Sequence, residues 1–295
     1  MTQVRELTDR PSDLKELCER IQGRLQPDIS ELRTYNWVGS TETKRFEFIR
    51  RAAVVRQAEA CSAIHTLVSS GNGAMGVVFL RPAYEELLWI EYLQKNSEIA
   101  PKLASMLTIK ELSEAHHAQR TYLGQKGIQR LGFSRKLSRR LDAMKESQDK
   151  ELKEIGKTLG WRQGASQPSM AFVARQVGRE KEYNYIYQGT SRAVHFSPHE
   201  LQRRVWGKFG EVSISSSSFD RYWSDFSLYW STRILFETMI FSGFTKKLEE
   251  AQPASGEDFH KELKALRPVP ILTAGELEAW DEPRWNASDL WNAKP

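Results

Sequence analysis

The sequence predicts an all-α protein: a multi-helix bundle with a long aromatic helix near its C-terminal end, followed by an extended tail carrying Trp280, Trp285 and Trp291. Three observations predict this. Apolar residues recur at three- and four-residue spacing through most of the chain. Helix start and stop signals bracket those stretches. No alternation of useful strand length and no fixed-period repeat interrupts them, and the Gly76–Leu80 run GVVFL is the only strand-like piece.

The first helix is expected from Asp13 to Leu25, with Asp13 and Glu16 as a capping box, Leu14, Leu17, Ile21 and Leu25 as its stripe, and Pro27 as its stop. Ser40 caps a long helix from Thr41 to Val68, striped by Phe46, Ile49, Ala53, Ala60, Ile64 and Leu67. Ser69-Ser70-Gly71-Asn72-Gly73 breaks the chain. Ala74 to Gln94 reads as the next helix, kinked or restarted near Leu80 by Pro82. Another runs from Pro101 to Gln125, loosened by Gly124 and Gly127. Ser134 caps a charged helix to Leu159, closed by Gly160. Ser169 starts a helix through Val177, and the segment after Gly178 forms one ending near Phe196. Ser197-Pro198-His199-Glu200 restarts a short helix to Trp206, with Ser as N-cap, Pro at the first position and Glu at the third. Glu211–Ser218 is a serine-rich connector. Ser217 and Asp220 cap the aromatic helix, which carries Phe219, Tyr222, Trp223, Phe226, Tyr229, Trp230 and Phe236 and runs to Glu250. A short helix is expected around His260–Leu266. The tail's tryptophans are expected to pack on the body or on a second subunit. The organisation is therefore a helix and connector over 1–38, a bundle over 39–250 and an arm over 251–295.

With 40% apolar and 27% charged residues in 295, the chain has a globular balance. Its two cysteines, Cys18 and Cys61, exclude a disulfide framework and a cysteine zinc site, and suit a reducing cytoplasm. The N-terminus has no apolar signal core, and the apolar stretch at Met75–Leu80 is too short to span a bilayer. A cytoplasmic protein without a membrane anchor is expected. Net charge is +5, and its distribution matters more than its sum. Between Ala115 and Leu141 there is no acid, while Arg120, Lys126, Arg130, Arg135, Lys136, Arg139 and Arg140 all fall there. Such a block meets either water, as a solvated helical corner, or nucleic-acid phosphates through counterion release. Tyr122 and Phe133 are its only aromatics, so stacking on bases has little support within it.

Two constellations carry chemistry. Tyr187, Ser191 and His195 follow one another at four-residue spacing, which places a phenol, a hydroxyl and an imidazole along one helix face. The row is either a buried polar seam or a site. An imidazole can act as acid or base near neutral pH, and the place of His195 at a helix C-terminus favours the charged form. Arg81 and Glu85, with Tyr84 between them, sit in an otherwise apolar helix. They are either an ion pair or a guanidinium for an anion together with a carboxylate that orients His195. Glu86 and Glu91 are open as to burial. His195 and His199 have helical zinc spacing, but Ser197-Pro198 breaks the helix between them; His116 and His117 point to different sides. No metal site is expected. Gly71–Gly76 lacks the Gly-Lys-Ser/Thr ending of a phosphate loop, no nucleophile elbow or catalytic carboxylate pair is present, and no cofactor is expected.

Two segments, HTLVSSGNGAMGVVFLRPAYEELLWIEYL and YNYIYQGTSRAVHFSP, together resemble a bacterial all-helical family of unknown function with an Arg-x-x-x-Glu helix and a Tyr-x-x-x-Ser-x-x-x-His helix. The resemblance covers about residues 45 to 205. That family is similar to the HEPN superfamily of helical nucleases and toxins. The resemblance implies that Arg81, Glu85, Tyr187, Ser191 and His195 converge in a bundle. It further implies RNA binding or cleavage without a metal, a homodimer or partner protein, and a role in phage defence or stress. Catalytic HEPN proteins resemble one another in an arginine five residues before the histidine. Here Thr190 holds that place and Arg192 stands three before His195, so the cation would come from Arg81 on another helix. The competing function is a non-catalytic interaction module or sensor subunit, with the tryptophan arm as its docking element.

Overall fold

The computed structural model describes residues 11–39, 41–208, 211–215, 219–245, 259–265 and 271–272. In chain order these form α1 (Pro11–Leu32), α2 (Glu42–Ser69), α3 (Gly73–Gly76), a 3₁₀ turn (Val77–Phe79), α4 (Leu80–Lys95), α5 (Ala100–Arg130) and α6 (Arg135–Thr158). They continue as α7 (Met170–Gln176), α8 (Glu180–Val194), α9 (Pro198–Gln202), β1 (Val205–Lys208), β2 (Glu211–Ile214), α10 (Asp220–Ser242) and α11 (Phe259–Ala265). The protein is all-α, and no helix among the described residues is long and apolar enough to cross a membrane. The chain divides into two compact units. Unit 1 takes residues 1–35, 50–91 and 179–295; unit 2 takes 36–49 and 92–178.

Unit 1 is organised around α10. A helix that is apolar on every side must be surrounded, and α10 is buried almost continuously from Tyr222 to Met239. Its aromatic side chains form a chain of edge-on and tilted contacts, Tyr222 to Trp223 at 4.6 Å and Tyr229 to Trp230 at 5.2 Å. On one side α1 presents Leu14, Cys18, Ile21 and Leu25, all sealed from solvent. Cys18 Sγ reaches the Leu228 carbonyl at 3.5 Å, and Cys61 Sγ of α2 reaches Ser231 Oγ at 3.5 Å. Burial pushes these free thiols up to about 12 and about 11. On another side α3 comes so close that a Cβ on Gly73 would lie 1.9 Å from Ser224 Oγ. One turn on, a Cβ on Gly76 would meet Ser227 Oγ at 3.3 Å. Glycines facing serines let two helices touch, and Asp220 fixes the approach by accepting from the Ala74 N–H at 3.2 Å.

Unit 2 packs α5 against α6, with Leu103, Ala104, Ile128 and Leu152 buried. Trp161 Nε1 donates to the Tyr92 hydroxyl at 2.9 Å. His116 is buried, 3.2 Å from Ser138 Oγ and packed against Phe133, whereas His117 is exposed.

Three helices, α6, α7 and α9, start where their capping serines place them. Ser134, Ser169 and Ser197 each accept from the N–H three residues on. Three expectations are corrected. Pro27 does not stop α1, because Pro27 and Gly23 both face solvent, where water reaches the carbonyl Pro27 leaves free, while Ile29 and Leu32 continue the buried stripe. The GVVFL run lies, as expected, within the helical segment that follows the Gly-rich break, as the end of α3, the 3₁₀ turn and the start of α4. The short helix expected to reach Trp206 ends at Gln202, and the chain from Val205 through the start of the expected connector is an antiparallel hairpin, Val205 opposite Ile214 and Lys208 opposite Glu211. The aromatic helix ends at Ser242 rather than Glu250, where Gly243 takes the left-handed conformation, φ 75°. Ser40, Ser217 and the tryptophans of the arm lie outside the described residues.

Candidate functional site

The site lies in unit 1, where α4 and α8 present polar side chains to one another. Pro82 falls in the first turn of α4, where its missing N–H costs little. Arg81 and Glu85 therefore project from consecutive turns near a stable helix start. On α8 the last helical residue is Val194, and His195 is the cap, with extended backbone (φ −118°, ψ 162°) and its N–H given to the Ser191 carbonyl at 3.0 Å. This turn carries the imidazole off the helix and into solvent.

Arg81 is the hub. Its Nε donates to Glu85 Oε1 at 3.0 Å, and its Nη1 lies 3.1 Å from His195 Nε2. Its guanidinium carbon stands 4.6 Å from the centre of the Tyr187 ring, which lies 5.6 Å from the Tyr183 ring. A guanidinium has no acceptor, so Nε2 is the acceptor in this contact and holds no proton there. Partial burial opposes the charge of Arg81, but the hydrogen bond and charge of Glu85 leave its pKa above the ordinary arginine value. Arg81 and Glu85 remain 26% and 27% exposed, so an anion can reach the cluster.

Four of the five residues singled out from the sequence are thus brought together. Ser191 is not: its Oγ is buried and finds no hydrogen-bond partner among the described residues. Glu85 orients Arg81 rather than His195. Arg192 turns away, its Nη1 3.3 Å from His199 Nδ1 and 3.4 Å from the Ile271 carbonyl, so the two nearby imidazoles face different arginines. Thr190, five before His195, is fully buried and donates to the Ile186 carbonyl at 2.7 Å. No cluster of three or more metal-type ligands occurs among the described residues.

The family model described as "Family of unknown function (DUF5677)" matches residues 47–211, more than half of the chain. The chain belongs to this family. No curated protein and no solved structure matches it. The family match contains both α4 and α8, and hence the whole Arg81–His195 cluster.

The matched span also contains the basic block, which lies in unit 2 at the end of α5 and the start of α6. Lys126, Arg130, Arg135, Lys136, Arg139 and Arg140 are exposed; Arg120 is partly covered and pairs with Asp142 at 2.8 Å. The helix repeat puts Arg135, Lys136, Arg139 and Arg140 on one solvent face of α6, with Ser138 on the buried side.

A second polar cluster in unit 1 escaped the sequence reading. Arg179, beside the start of α8, donates to Glu91 at 2.5 Å, to Glu182 at 2.9 Å and to Glu237 at 2.5 Å. Arg233 of α10 donates to Glu182 at 2.5 Å and to Glu237 at 2.8 Å, and the Tyr84 hydroxyl donates to Glu182 at 2.8 Å. Burial opposes the charge of each arginine, yet Glu237, Glu91 and Glu182 hold Arg179, and Glu237 and Glu182 hold Arg233, above the ordinary arginine range. Desolvation raises Glu91. The signal for this cluster was the one that revealed Arg81 and Glu85: Arg233 and Glu237 are opposite charges four apart in an apolar helix. Glu86 is drawn in likewise, 3.4 Å from Arg56.

Proposed function

We propose that this protein binds and cleaves RNA without a metal ion, with His195 as the general base and Arg81 as the cation that stabilises the phosphorane-like transition state. The observation that carries the reading is the 3.1 Å contact between Arg81 Nη1 and His195 Nε2 at a solvent-exposed position. An unprotonated imidazole nitrogen beside a guanidinium is a pairing suited to a phosphodiester. When the phosphate enters, its oxygens take the guanidinium and free Nε2. The imidazole then accepts the ribose 2′-hydroxyl proton as the 2′-oxygen bonds to phosphorus. The bond from phosphorus to the 5′-oxygen breaks, and the imidazolium returns its proton to that oxygen. The products are a 2′,3′-cyclic phosphate and a 5′-hydroxyl. Glu85 fixes the plane of Arg81, and Tyr187 backs it.

The exposed cations from Lys126 to Arg140 add sequence-independent attraction for the RNA backbone. The resemblance to helical nucleases and toxins extends the reading to an effector in phage defence or stress response. Expression of wild type and His195→Ala in cells tests it through growth and the integrity of total RNA. Growth arrest with RNA loss in wild type alone supports the reading. RNA loss that survives the substitution removes His195 from catalysis. Intact RNA in both cultures favours the non-catalytic interaction module.

A further inference from the structure

Arg192 differs from the other arginines gathered around α8. Arg81 pairs with Glu85, Arg179 and Arg233 with Glu182 and Glu237, and Arg203 with Glu200. Arg192 is partly buried, yet among the described residues no carboxylate pairs with it. Its contacts are two neutral acceptors at long range, His199 Nδ1 at 3.3 Å and the Ile271 carbonyl at 3.4 Å. Nδ1 is the acceptor there because a guanidinium has only donors. Both contacts use Nη1, and Nε and Nη2 make no hydrogen bond among the described residues. A cation drawn partly out of water without a counter-charge is stabilised by an incoming anion. The backbone sets this cation beside the reacting pair. The His195 N–H keeps its helical bond to the Ser191 carbonyl at 3.0 Å, so the Cα atoms of Arg192 and His195 lie one turn apart, about 5 Å. Two guanidinium–imidazole contacts, Arg81 with His195 and Arg192 with His199, therefore meet at the junction of α8 and α9.

We infer that Arg192 binds the phosphate next to the scissile one, so that the site takes an RNA strand of at least two phosphodiesters. The inference rests on the function proposed above and names its substrate class. Each arginine meets its own imidazole, so the two cations call for two anions rather than one. A nucleic-acid strand supplies anions at successive positions along one chain. With the scissile phosphate at Arg81, the adjacent phosphate takes Nε and Nη2 of Arg192 in a bidentate contact, while Nη1 stays on His199. Arg192 forms no bond to the reacting atoms; it holds the strand in register with His195.

Cleavage kinetics of the full chain on DNA oligonucleotides carrying a single ribonucleotide test the inference, because the single 2′-hydroxyl fixes which phosphate is cut. In separate substrates the phosphate on either side of the scissile one is replaced by an uncharged methylphosphonate. For wild type, one of the two replacements raises KM about ten-fold. Arg192→Gln raises KM on the unmodified strand by a similar factor and no longer senses that replacement. The same variant cuts a dinucleoside monophosphate, which has no neighbouring phosphate, as wild type does. Equal KM of wild type for the unmodified strand and both replacements overturns the inference and leaves the catalytic reading standing. So does an Arg192→Gln variant that loses as much activity on the dinucleoside monophosphate as on the longer strand, since a merely structural arginine would act on both alike. Absence of cleavage of every substrate by wild type overturns the inference and the catalytic reading together.

Discussion

The two ends of α8 carry the same kinds of side chain to opposite purposes. Arg179, Tyr183, Tyr187, Ser191 and His195 form a continuous row at four-residue spacing. Four residues turn an α-helix about 40° past a full circle, so the row winds through about 160° along its length. At its start the row faces α4 and α10, and Arg179 is locked among three carboxylates. At its end it faces water, and His195 meets a single arginine. Arg179 is 15% exposed and its partner Glu237 only 4%, whereas Arg81 and Glu85 keep about a quarter of their surface open. A guanidinium donating to three carboxylates that are largely or wholly withdrawn from water ties helices together. A guanidinium with one carboxylate and one neutral imidazole, at the surface, can exchange a partner for a phosphate. Satisfaction and burial, rather than residue type, separate the tie from the site.

The largest effect is expected from breaking the tie. Arg179→Ala leaves Glu91, Glu182 and Glu237 facing one another with only Arg233 to neutralise them. Breaking a buried pair costs about 3–5 kcal/mol, so urea unfolding of this variant should shift to a much lower midpoint. Asp225 sharpens the comparison from the same helix as Glu237. It is also buried, but its Oδ2 has no hydrogen-bond partner among the described residues, and desolvation pushes its pKa from 3.8 up to about 7 against the opposing charge of Arg221. The folded state therefore holds a proton that the unfolded chain releases. Its contribution is fully present below 3.8, declines as pH rises to about 7 and is flat above. Thermal melts of Asp225→Asn should lose that decline and give a higher midpoint than wild type at alkaline pH, by the equivalent of a few kcal/mol.

A smaller effect is expected where backbone approach positions α4. Gly73→Ala drives a methyl into Ser224, whose Cβ lies 2.9 Å and whose Cα lies 3.0 Å from the new atom. Overpacking of this kind costs about 1–3 kcal/mol, readable as a lower unfolding midpoint. At the open end of α8 the effect on stability should nearly vanish. His195→Ala removes an exposed side chain whose hydrogen bond to Arg81 is open to water and should change unfolding free energy by about 0.5 kcal/mol or less.

Local chemistry made much of the fold legible. Serines before apolar runs fixed the starts of α6, α7 and α9 because the cap acts within four residues. Solvent and tertiary contacts decided the rest. Pro27 reads as a stop unless the exposure of its turn is known, and strands as short as Val205–Lys208 and Glu211–Ile214 leave too little alternation to recognise. At the site, the convergence of α4 and α8 followed from two charged residues in an apolar helix and from the resemblance. The partners within it did not. Spacing left Glu85 open between an ion pair with Arg81 and a bond to His195; it is found on Arg81, because which side chain meets which depends on helix rotation that spacing alone does not fix. Ser191 was placed on the same face as His195, yet about 40° of drift and the cap's turn leave its hydroxyl in the interior.

The most direct test of the chemical role of the open end is incubation of purified wild type and His195→Ala with RNA in the presence of EDTA, followed by end-group analysis. Wild type should release fragments ending in 2′,3′-cyclic phosphate with 5′-hydroxyl partners, and His195→Ala, melting like wild type, should release none. Equal cleavage by both proteins, or wild-type fragments bearing 5′-phosphate, would contradict the assignment of His195 and Arg81 as the reacting pair.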